Sequence, residues 1–173
     1  MALIAEQQQE IDAARADVIK SRRFVESLNE KDEQFDECTS ATLVLEKTLE
    51  TVHQKNPAMV QPAADAKQLV HDARLTVSRR RTEVAVDRLR TKVEAARNVA
   101  TTKLDALRPT ALTKERIDDA EAAVQAVAKE LEAGTELVSN SRDYAAYDRE
   151  VRKRVAEGLD LIAARRVNLA GNE

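Results

Sequence analysis

Between Pro62 and Pro109 the chain runs through about 46 residues without a glycine or a proline. Either residue interrupts a helix, glycine through its backbone entropy and proline through its ring and missing N–H. The stretch therefore reads as one continuous helix, roughly 69 Å long at 1.5 Å per residue. The rest of the chain excludes a sheet architecture. Aromatic residues make up 2% of it and Trp is absent, while three Gly and three Pro are too few for the turns a sheet requires every ten or so residues. Ala, Glu, Arg, Leu and Val, which dominate the rest, are compatible with long helices.

The few breakers fall where helices should stop. Pro57 and Pro62 bracket one turn, Pro109 marks a second and Gly171 closes the chain. Softer turns lie at Asn29 to Asp32 and at Ser139 to Ser141, where Asn140 or Ser141 can cap the next helix. Five helices are expected, at residues 2–28, 32–54, 62–107, 112–138 and 141–170, with Gly134 read as an early end of the fourth. Short connections fold successive helices back antiparallel.

Apolar spacing supports each segment. Ile4, Ile11, Val18 and Val25 recur seven apart, and Phe35, Cys38, Thr42, Leu45, Leu49 and Val52 alternate steps of three and four. Ile117, Ala120, Val124, Val127 and Leu131 keep the same rhythm, and Tyr144, Tyr147, Val151, Val155 and Ile162 form the last seam. Such narrow stripes pack knobs into holes against two partner helices. The long segment carries two stripes: Val70, Ala73, Val77 and Val84, then Val86, Leu89, Val93, Ala96, Ala100 and Leu107. A helix whose apolar face changes phase partway along serves two sets of neighbours.

An internal repeat agrees. A shift of 82 residues sets Ile11-Asp-Ala-Ala-Arg15 over Val93-Glu-Ala-Ala-Arg97, Phe35-Asp36 over Ile117-Asp118, and Leu45 to Glu50 over Val127 to Glu132. In the third element the same shift sets Leu69, Ala73 and Val77 over Val151, Val155 and Leu159. The fold class expected is all-α: two consecutive antiparallel three-helix bundles, residues 1–83 and 84–173, sharing a long continuous central helix. In helix count, order and shared helix the whole chain resembles a tandem pair of spectrin-type repeats. That resemblance implies a rod segment of a cytoskeletal or scaffolding protein, acting as spacer, elastic element or docking surface. Ile4 opens the first seam almost at once, as in a helix cut from a longer array.

Charge narrows the function classes. With 28 Lys plus Arg against 31 Asp plus Glu, the net charge of −3 disfavours a surface dedicated to nucleic acid. The single Cys38 excludes an internal disulfide framework and suits a reducing compartment. No apolar run approaches the roughly 20 residues of a membrane span, and the first residues lack a basic leader and an apolar signal segment, so a cytoplasmic location is expected.

The densest charge feature lies between Arg74 and Lys92, with seven basic and two acidic residues. Arg79, Arg80, Arg81 and Arg88 are the candidate partner-binding residues, available to acidic lipid or a filament. The structural alternative pairs this stretch with the acidic start of the second helix: Glu30, Asp32, Glu33, Asp36 and Glu37. No aromatic lies close enough to stack bases. His53 and His71 lack the paired Glu-x-x-His pattern of a di-iron bundle, since Gln68 stands where the second Glu belongs. Cys38 falls on a seam as a small buried thiol, and Tyr144 and Tyr147 read as plugs of a bundle end with their hydroxyls in water. Inside the seams the polar residues are Thr42 and scattered arginines, which leaves no catalytic cluster. The expectation is therefore not an enzyme but a structural and interaction module with cytoskeletal or scaffold protein partners, without cofactor, metal or small-molecule substrate. The alternative is an adaptor binding acidic membrane or filament through the basic stretch.

Overall fold

A computed structural model of the chain describes residues 2–27, 32–55, 60–108 and 112–171. Among them are six helices and no strand: α1 (Ala2–Glu26), α2 (Asp32–Lys55), α3 (Val60–Asp105), α4 (Lys114–Glu132), α5 (Thr135–Asn140) and α6 (Arg142–Ala170). The turns expected at Asn29, Pro57 and Pro109 lie outside the described residues, as do Glu30 and the side chains of Ile4, Asp32 and Glu33. Residues 75–90, at the middle of α3, are helical throughout.

Two compact units divide the chain, Met1–Val84 and Ala85–Glu173. In the first, Arg80 reaches the Val25 carbonyl and Arg81 reaches Asp36, so the end of α1 and the start of α2 flank the same turn of α3. Arg74, earlier in α3, meets Glu46, later in α2, which makes α2 and α3 antiparallel. The core holds Ile11, Val18 and Val25 from α1, Phe35, Cys38, Leu45, Leu49 and Val52 from α2, and Val70, Ala73, Val77 and Val84 from α3. Buried hydroxyls bond back into their own helices: Thr42 to the Cys38 carbonyl at 2.7 Å and Thr76 to the Asp72 carbonyl at 2.9 Å. A buried polar group is tolerated when it is bonded in this way.

The second unit follows the same plan. Lys103 meets Asp119 at 2.8 Å and Arg166 meets Asp118 at 2.8 Å, so the start of α4 lies beside the ends of α3 and α6. Arg90 donates to the Asp143 carbonyl at 3.3 Å, which sets the start of α6 beside this unit's first turns of α3. Val86, Leu89 and Val93 pack with Ile117, Val124, Val127 and Leu131 and with Tyr144, Val151 and Ile162. Each such aliphatic side chain contributes about 1.5–3 kcal/mol when fully buried. The Thr113 hydroxyl caps α4 and the Ser141 hydroxyl caps α6, as expected for Ser141.

Two details depart from the sequence reading. The fourth helix does not run from 112 to 138 but stops at Glu132, and α5 resumes at Thr135. Gly134 sits at the break with φ −99° and ψ 8°, angles open to any residue, so its role is spatial. A Cβ there would stand 2.5 Å from Leu89 Cδ2, 2.8 Å from Tyr144 Cζ and closer still to the Tyr144 hydroxyl. The repeat also changes offset. Burial puts Ala66, Val70, Ala73, Val77 and Val84 in register with Tyr144, Asp148, Val151, Val155 and Ile162, a shift of 78 residues and not 82. Leu159, paired with Val77 by the longer shift, is 37% exposed against 8%.

Candidate functional site

The arginines of the basic stretch have different surroundings. Arg80 lies on the core side of α3 with its side chain 17% exposed, and its Nε donates to the Val25 carbonyl at 3.3 Å. That bond satisfies a carbonyl of the last turn of α1, which has no partner within its own helix. Its Nη1 also pairs with Glu83 at 2.5 Å. Arg81 pairs with Asp36 at 2.9 Å and lies 5.6 Å from the centroid of the Phe35 ring, so one acidic residue expected opposite the stretch does meet it. Arg79, with its side chain 66% exposed, reaches only Glu83 at 3.7 Å. Arg88 belongs to the second unit and is exposed.

The first unit also gathers both histidines. His53 and His71 line a groove of about 370 Å³ between α2 and α3 with Glu46, Glu50, Lys67 and Arg74. Among the described residues no three His, Cys, Asp or Glu side chains converge as a metal site. Cys38 is fully buried in the first core, with no described polar group bonded to its thiol.

The densest polar chemistry lies elsewhere, where α6 begins in the second unit. The Tyr147 hydroxyl donates to Glu94 Oε1 at 2.6 Å, and Arg97 pairs with the same oxygen at 2.7 Å. The Arg90 guanidinium stacks 5.1 Å from the Tyr147 ring centroid, and the two tyrosine rings lie 6.0 Å apart at 40°. Burial, and then the bond to Glu94, pushes the Tyr147 phenol up to about 12. The same hydrogen bond holds Glu94 below the usual carboxylate range, helped by Arg97.

Tyr144 is fully buried, and its hydroxyl has no hydrogen-bond partner among the described residues. Burial, reinforced by the negative charge of Asp148, raises its phenol as well. Asp148 is itself buried, with one oxygen paired to Arg152 at 2.8 Å and the other without a partner. The tyrosines thus do not plug an end with hydroxyls in water: one is sealed in the core and the other is bonded to a carboxylate. An apolar step back from Val151 lands on Tyr147 and passes over Asp148. Counting back from Ile162 in steps of four and three leads instead through Gly158, Val155 and Val151 to Asp148 and Tyr144.

A groove of about 490 Å³ runs between α3 and α6 in this unit, with Ala100, Val124, Val151 and Gly158 among its lining and Arg97, Asp105, Arg154 and Glu157 around it. Arg154 and Glu157 pair with each other at 3.0 Å, as Arg97 does with Glu94. Each of these two pairs neutralises its charge locally. Among the described residues no helix is long and apolar enough to cross a membrane. No family model, curated protein or solved structure matches the chain.

Proposed function

We propose that this chain is a helical spacer: a stiff segment that separates or links other domains and offers its flanks to protein partners of a scaffold or cytoskeleton. In this reading two three-helix bundles share α3 as a common strut, the build that the likeness to spectrin-type repeats implies. The observation that supports it is the run of α3 from Val60 to Asp105, with Val84 in one core and Val86 in the other. A helix held by a different core on each side of Ala85 couples the stability of the two bundles.

Two intrinsic probes test the coupling. Cys38 is buried in the first core, so its reaction with a thiol reagent reports that unit's opening. Both tyrosines lie in the second unit and the chain has no Trp, so tyrosine fluorescence reports the other. The spacer reading expects the two probes to share one denaturant midpoint. Asp87 is exposed on α3, and Asp87→Pro, which removes a helix hydrogen bond and clashes with the preceding turn at a cost of about 3 kcal/mol, should split the midpoints. Midpoints already apart in the parent chain, and unmoved by the proline, would overturn it.

The alternative, an adaptor that binds acidic membrane, rests on Arg79, the most exposed of the arginine triplet. Replacing Arg79, Arg80 and Arg81 by Gln separates the readings. The spacer loses stability and shows no change in sedimentation with phosphatidylserine vesicles, whereas a membrane adaptor loses vesicle binding.

A further inference from the structure

We infer that α5 is a lid over Tyr144, able to lift while α4 and α6 stay folded. It has six residues, none of them buried, and it is set off from α4 by Gly134, which supplies no side-chain cap. Its hold on the core comes from Leu137 and Val138, both only partly buried. Its neighbours keep their own end bonds when it lifts, since α6 is capped by the Ser141 hydroxyl accepting from the Tyr144 amide, and the Ala133 amide bonds the Leu131 carbonyl.

The side chain beside the hinge favours the opening. The Tyr144 hydroxyl is buried without a partner, a state costlier than exposure to water, and it lies against Gly134 at the hinge itself. Among the described residues of the first unit α2 runs unbroken from Asp32 to Lys55, and its core carries Val52 and Ala66 at the positions of Gly134 and Tyr144. The lid does not depend on the spacer reading.

Native-state hydrogen exchange on the full chain tests this. Opening of α5 alone predicts that the bonded amides of residues 137–141 exchange at least about tenfold faster than those of 148–158, as expected of a local opening. Fraying alone would also make a short helix exchange quickly, so the deciding readout is Tyr144→Phe. Without the stranded hydroxyl the closed state gains, and exchange across 137–141 should slow by roughly fivefold or more. Leu137→Ala should speed it. Protection of 137–141 equal to that of α6, or an α5 exchange rate unmoved by Tyr144→Phe, would overturn the lid.

Discussion

Gly134 and Tyr144 form a size pair whose counterpart in the first unit is Val52 and Ala66, and exchanging one pair for the other is a strict test of how the second core is filled. Gly134→Val alone forces a branched side chain into space held by Leu89 Cδ2 at 2.5 Å and Tyr144 Cζ at 2.8 Å. Neither neighbour can swing into water, because Tyr144 is fully buried and Leu89 nearly so. Overpacking of this kind costs about 1–3 kcal/mol. Tyr144→Ala alone empties a fully buried aromatic site, at about 3–5 kcal/mol by comparison with other large aromatic truncations. The double variant recreates the first unit's pair, with the valine side chain entering the space the ring leaves. It should be more stable than the sum of the singles by about 2 kcal/mol, at the upper part of the range for residues in contact. Urea unfolding followed by Tyr147 fluorescence reads the second unit in all four chains, since Tyr147 is retained throughout. A coupling below about 0.5 kcal/mol would refute the reasoning, because the two positions would then not be sharing one volume.

Further outcomes follow from named contacts. Titration of tyrosinate absorbance should show one phenol ionising near pH 12, and Glu94→Gln should lower that value. Because the folded value lies above the ordinary value of 10, Tyr147 contributes stability that is complete below about pH 10 and is lost between there and about pH 12. Glu94 acts in the opposite sense: its folded value is depressed, so its contribution is present above 4.5 and fades as the pH falls below that, visible as a lower thermal midpoint in acid. Arg80→Gln should cost the first unit about 1–2 kcal/mol through the lost bond at the end of α1 and the lost packing of its stem, read by Cys38 labelling in denaturant. Arg81→Gln should cost about 1 kcal/mol or less, since its pair with Asp36 is half-exposed; a ranking of the two in the other order would contradict their placement. Gly158→Ala gains about 1 kcal/mol of helix propensity, but its methyl would stand 3.3 Å from Leu104 Cδ1, so the thermal midpoint should move by only a degree or two.

The electrostatics of the two units differ for a reason visible in their cores. Where the third helix of the first unit offers Ala66 and Val70, that of the second offers Tyr144 and Asp148. The second core therefore holds a buried phenol and a carboxylate oxygen without partners, while the buried hydroxyls of Thr42 and Thr76 in the first are bonded to their own helices. Unbonded polar groups in a core make local opening less costly.

Much of the architecture was legible from order along the chain alone. Whether a segment is helical, and which of its faces is apolar, depends on residues within a turn or two of one another, so the seams through Ile11, Val18 and Val25 and through Ile117, Val124 and Leu131 could be read directly. The cap at Ser141 is equally local. Gly134 could be read as an early end of the fourth helix, but the lack of room for a side chain there was not legible, because it is set by a phenol ten residues further on and a leucine on another helix. Nor was the bond from Tyr147 to Glu94, or the division of neighbouring arginines into one that closes α1 and one that pairs with α2. A helical period assigns a residue to a face, but the volume it fills and the partner it meets are set jointly by three helices. Those relations exist only once the helices have packed.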